Sequence, residues 1–106
     1  MKLKNVQKQV TKVFLDNLKR DKIKISDDYL MVKLGEEVGE LMQAYIIHKK
    51  KCRPEKYLTP KKSKKGVAKE LSDVVCLSLI ISKILKIDLE EAITKKWITK
   101  EWVKKR

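Results

Sequence analysis

Histidine is almost missing. His48 stands alone in 106 residues, so no Ser-His-Asp or Cys-His set can be built with a partner on an adjacent turn. At a helix end it reads as structural. Glycine numbers three and proline two. That excludes a Gly-rich phosphate loop of Walker type and, with few Thr and Tyr, favours helices over strands. The two cysteines, Cys52 and Cys76, have no metal-ligand or redox spacing and read as free thiols of a cytosolic chain. Cys76, in mid-helix, reads as a small core residue. Long apolar runs are missing too. "VVCLSLIISKIL" is cut by Ser78, Ser82 and Lys83, too short for a bilayer span, and "MKLKNVQKQV" lacks the apolar core of a secretory signal. The expected location is cytoplasmic, with no membrane partner.

What is present is apolar and charged material in near balance, 42% against 39%. One domain with one core is the default at this length. The formal net charge is +13, which suggests nucleic acid. Yet only Arg20, Arg53 and Arg106 are arginines, the residue that reads base edges best, and the lysines run from Lys2 to Lys105. The expectation is a generic lysine-rich surface, with nucleic acid an unlikely partner. Such a field still attracts polyanions, nucleotides included.

Four helices are expected. The first runs from about Leu3 to Lys22, with Val6, Val10, Val13, Phe14 and Leu18 as its apolar stripe. Ser26 or Asp27 can cap the second, from about Asp28 to Lys50. Thr59-Pro60 starts the third, which ends near Lys86; "KKSKK" is read as its exposed start. Asp88 and Glu91 form a capping-box-like pair that opens a fourth, from Leu89 towards Val103. The third helix is apolar around well over half its circumference at about 100° per residue. Such a helix is buried on more than one side, so a partner subunit is expected: a homodimer or a dimer of dimers.

The acids of the second and third helices share one pattern. With Glu37 at 0°, Glu40 falls about 60° to one side and Leu30, Leu34, Leu41 and Tyr45 fall to the other. Glu70 and Asp73 repeat this beside Val74 and Ile81. Two readings stand on spacing alone. Either these are separate surface pairs with Lys33 and Lys69 as partners, or an antiparallel helix pair brings four carboxylates together. Convergence is costly, since unit charges about 4 Å apart repel by about 4 kcal/mol at an effective dielectric of 20. A divalent cation relieves it, and carboxylate oxygens favour Mg²⁺ or Mn²⁺ over Zn²⁺. Gly35 and Gly39, on the far side, make a smooth strip for another backbone.

"KLGEEVGEL", "KELSDVV" and "KIDLEEAITKKW" together resemble the MazG-like nucleoside triphosphate pyrophosphohydrolases, over roughly Leu30 to Trp97. The family signature E-E-x-x-E then E-x-x-D corresponds here to Glu36, Glu37, Glu40, Glu70 and Asp73. The resemblance implies an all-α, four-helix bundle-like fold completed by dimerisation. It also implies Mg²⁺ on Glu37, Glu40, Glu70 and Asp73, with Mn²⁺ able to substitute, and hydrolysis of a nucleoside triphosphate to the monophosphate and pyrophosphate. Glu36 is expected to orient water or to face solvent. The chain departs from the family pattern at Lys86, where glycine is common, and in "TKKWITKEW", where Lys95, Lys96 and Lys100 are the candidates for phosphate contact.

The chemistry expected is hydrolysis by water that the cation activates. Lys33 and Lys96 are expected to neutralise phosphate charge; Lys33 can equally pair with Glu37. Trp97 is read as opening onto a subunit contact rather than stacking on a base. The reaction suits house-cleaning of the nucleotide pool. The alternative is a non-enzymatic basic helical module that binds nucleic acid or a protein partner.

Overall fold

The structure, a computed structural model, describes residues 2–22 and 27–104, without the side chains of Asp27, Val103 and Lys104. All regular elements among them are helical: α1 (Leu3–Arg20), α2 (Asp27–His48), α3 (Pro60–Ile84), α4 (Leu89–Ile93) and α5 (Glu101–Lys104), with a 3₁₀ turn at Pro54–Lys56 and a π turn at Thr94–Ile98. The expected caps Ser26 and Asp27 lie outside the described residues and side chains. No described helix is long and apolar enough to cross a membrane.

The chain divides into two compact units, residues 25–78 and residues 1–24 with 79–106; α3 runs through both. In the first, Thr59 Oγ1 accepts from Lys62 N at 3.3 Å and Pro60 opens α3, as the Thr-Pro pair predicts. His48 Nδ1 meets the buried Ser63 Oγ at 2.7 Å, and Ser63 donates to Pro60 O. His48 is therefore structural: it ties the end of α2 to the start of α3. Among the described residues of this unit, Leu30 and Leu77 are the buried apolar side chains. Cys76, expected in the core, is only half-buried, and both cysteines are free. Gly35 and Gly39 face open space, since an added Cβ meets nothing within 4 Å at either. Within the chain itself the strip carries no close packing.

In the second unit, Gln7 Nε2 donates to Leu79 O at 3.0 Å and Ser82 Oγ at 2.7 Å. These bonds tie α1 to the last turns of α3, where Leu79, Ile80 and Ile81 are buried. On α1 the expected stripe holds at Leu18, which is buried, but Val13 is 60% exposed and Thr11 is buried instead.

The expected fourth helix is interrupted. Asp88 Oδ1 accepts from Glu91 N at 3.0 Å, so the cap forms, while the Glu91 carboxylate reaches forward to Lys95 at 2.7 Å. Thr94 Oγ1 then donates back to Glu90 O, and Thr99 N reaches five residues back to Thr94 O at 2.8 Å. That widened turn and a left-handed Lys100 (φ 57°) end the run. Ile93, Thr94, Ile98 and Thr99 are β-branched, and their stiff χ1 favours such a break.

The expected ends of the first three helices, Lys22, Lys50 and Lys86, are each the left-handed residue just past the helix, at φ 57°, 55° and 59°. At α3 the closure is complete: Ile87 N bonds Ser82 O at 2.8 Å and Lys86 N bonds Lys83 O at 3.2 Å, the Schellman pattern. Glycine takes this conformation without the steric cost a Cβ brings. Lys86→Gly is therefore expected to raise stability by about 0.5–1 kcal/mol, read as a higher urea midpoint. An unchanged or lower midpoint would contradict the strain assigned to Lys86.

Candidate metal centre

The site is built by the 25–78 unit alone. Going back along α2 from His48 to Glu37 runs forward along α3 from Ser63 to Glu70 and Asp73. The two helices are thus antiparallel. The acids at the margins of their apolar stripes meet. One carboxylate oxygen each of Glu37, Glu70 and Asp73 lies within 4.8 Å of the other two. All three residues are half-buried; the Glu37 side chain is 13% exposed.

Glu40 is exposed and stands outside that triplet. It still faces both partners, close enough to share a hydrogen bond with Glu37 or Glu70 when one carboxyl holds a proton. Of the four acids expected to converge, three form the cluster and the fourth sits at its rim.

Charge compensation inside the chain is thin. Lys33 Nζ lies 3.9 Å from Glu37 Oε1 and 3.6 Å from Glu36 Oε2. The expected Lys33–Glu37 pair is formed, and Glu36 is drawn to its solvent side. Both contacts are long, and half-exposed pairs of this kind contribute little. Lys69 draws the Glu70 pKa down. Against this, Glu37 Oε2 and Glu70 Oε2 are buried and have no hydrogen-bond donor. Burial, then Glu40 and Asp73, hold the Glu37 carboxyl above its ordinary 4.5, with Lys33 opposing. Burial, Glu40 and Asp73 do the same for Glu70, with Lys69 opposing.

The residues fit a hard divalent cation. All the donors are carboxylate oxygens, and Glu37 and Glu70 each carry one that is otherwise orphaned. Ligands about 2.1 Å from Mg²⁺ stand about 3.0 Å apart when adjacent and about 4.2 Å when opposite, so oxygens within 4.8 Å of one another have to close by up to about 2 Å.

The other expected site residues belong to the second unit. Lys96 Nζ sits 5.7 Å over the ring of its neighbour Trp97. Lys95 is held by Glu91, which raises its pKa above 10.5. Trp97 is 70% exposed. The structure does not join these side chains to the acidic cluster.

No family model, curated protein or solved structure matches the chain.

The raised carboxyl pKa values set a pH dependence. Glu37 and Glu70 bind a proton more tightly folded than unfolded. Their contribution is therefore largest at low pH and is lost as pH rises above about 4.5. In EDTA, raising pH from about 5 to 8 should cost the wild type more thermal stability than the Glu37→Gln/Glu70→Gln variant. Equal slopes in the two proteins would mean that the cluster is not strained.

Proposed function

We propose that the chain is a divalent-cation-dependent nucleoside triphosphate pyrophosphohydrolase of the MazG-like kind, releasing a monophosphate and pyrophosphate. One observation carries this reading: two buried carboxylate oxygens without a donor, Glu37 Oε2 and Glu70 Oε2, in a cluster with Asp73. The sequence motif that holds these acids supports it. Glu37, Glu70 and Asp73 would hold Mg²⁺, or Mn²⁺ in its place, with Glu40 beside them. The cation, when bound, supplies Lewis acidity and charge neutralisation towards phosphate oxygens.

The side chains do the rest. Lys33 orients Glu37 and Glu36 through contacts loose enough to turn towards an arriving phosphate. Glu36, solvent-facing beside Lys33, would orient water at the rim. Cytoplasmic clearance of unwanted nucleotides suits this chemistry.

The apolar surface supports a homodimer or dimer of dimers that completes the bundle. On α3, Leu71 and Val75 are 48% and 54% exposed. Leu71 lines a groove of about 410 Å³ with Leu41, Met42, Tyr45, Ile46 and Val67. Full burial of each large apolar side chain is worth about 1.5–3 kcal/mol, a strong reason for a partner subunit to cover them.

Pyrophosphate release from a panel of normal and oxidised nucleoside triphosphates tests the proposal. Turnover should vanish in EDTA and return with Mg²⁺. Glu37→Gln, Glu40→Gln and Asp73→Asn should each lose on the order of 10²–10³-fold in kcat, with helical circular dichroism unchanged. Activity that survives all three substitutions removes the site assignment; release of inorganic phosphate instead of pyrophosphate removes the reaction.

A further inference from the structure

Basic residues are equally numerous in 1–48, 49–65 and 66–106, nine in each. The middle group occupies only 17 residues and carries a single acid, Glu55, so it holds +8 of the net +13. All nine of its basic side chains are exposed. Among the described residues, none of the nine forms an ion pair.

Four of them stand where local electrostatics opposes a cation. Lys61, Lys62, Lys64 and Lys65 occupy the first two turns of α3, whose first turn has no acid. A helix N-terminus carries partial positive charge and favours anions. Helix stability therefore does not account for these lysines. Together with the end of α2 and Arg53 they form one positive stretch of chain whose single acid is Glu55.

The segment also holds a half-exposed ring. Tyr57 is 43% exposed, its hydroxyl donates to Lys50 O at 3.4 Å, and Lys50 Nζ lies 5.8 Å from the ring centre. An aromatic face among lysines suits a stacked base, and a duplex hides its bases whereas a single strand offers them. Eight of the nine cations are lysines, point charges that meet phosphate without reading base edges.

We propose that residues 49–65 bind single-stranded nucleic acid through its phosphates, without sequence preference. This does not rest on the cation site or on any hydrolytic activity.

Fluorescence anisotropy of a labelled oligo(dT) of about 20 nucleotides, titrated in EDTA over a range of NaCl, tests it. Affinity should fall linearly on a log–log plot, by about 0.7 per phosphate contacted. The variant Lys61→Gln/Lys62→Gln/Lys64→Gln/Lys65→Gln should bind at least tenfold more weakly with a shallower slope. Its thermal midpoint should rise, because the helix start sheds four cations. Lys12→Gln/Lys19→Gln, exposed lysines of α1, should bind as the wild type does. The proposal is overturned if the wild type does not bind, if the quadruple variant binds equally well, or if a duplex or phosphatidylserine vesicles bind more tightly than oligo(dT).

Discussion

Like charge forced against like charge is the constraint on which the rest depends. The apolar stripes of α2 and α3 run beside their acids, so packing the stripes brings the acids with them. The His48–Ser63 bond and the Thr59 cap fix where α3 begins against α2, and so set the register. With Glu37, Glu70 and Asp73 level, two carboxylate oxygens are buried without a donor. A packed core normally pairs such atoms. Under the proposal the remaining partner comes from outside the chain: a small hard cation would satisfy the charge and the oxygen chemistry together.

The α2–α3 hairpin is charge-segregated along its length. Its middle holds the acids, and its closed end holds a third of all the basic residues in 17 positions. The end of the hairpin is held by uncharged devices: Tyr57 on Lys50 O, Ser63 on Pro60 O, and the left-handed turn at Lys50. No ion pair with a described residue spends these lysines, so their charge stays free to act on polyanions.

Much of this was legible in the sequence, and the misses have physical causes. Helix starts at Thr59-Pro60 and Asp88 were readable because caps are local chemistry. Helix ends were misplaced by two residues at Lys22, Lys50 and Lys86, because lysine continues a helical pattern on paper yet takes the left-handed turn that glycine usually occupies. The break at Thr94–Lys100 was hidden by good apolar spacing; the clustered β-branched residues were the signal. The i, i+3 spacing on two helices left separate surface pairs and convergence both open; the structure brings three of the four acids together. That Glu40 stays at the rim had a signal in its place on the wheel, about 60° from Glu37 on the side away from the apolar stripe. The basic 49–65 loop was legible as a charge run, but not its role, because a lysine run alone does not say what it meets. Val13, expected in the α1 stripe, is exposed while Thr11 is buried, because one stripe cannot reveal which flank meets a neighbour.

The most direct test of the central claim is anomalous diffraction from crystals grown with Mn²⁺. The account predicts one strong peak per chain, within coordination distance of Glu37, Glu70 and Asp73, with the two buried Oε2 atoms turned onto it. Well-ordered crystals at saturating Mn²⁺ with no peak there, and the three carboxylates paired to lysines instead, would contradict it.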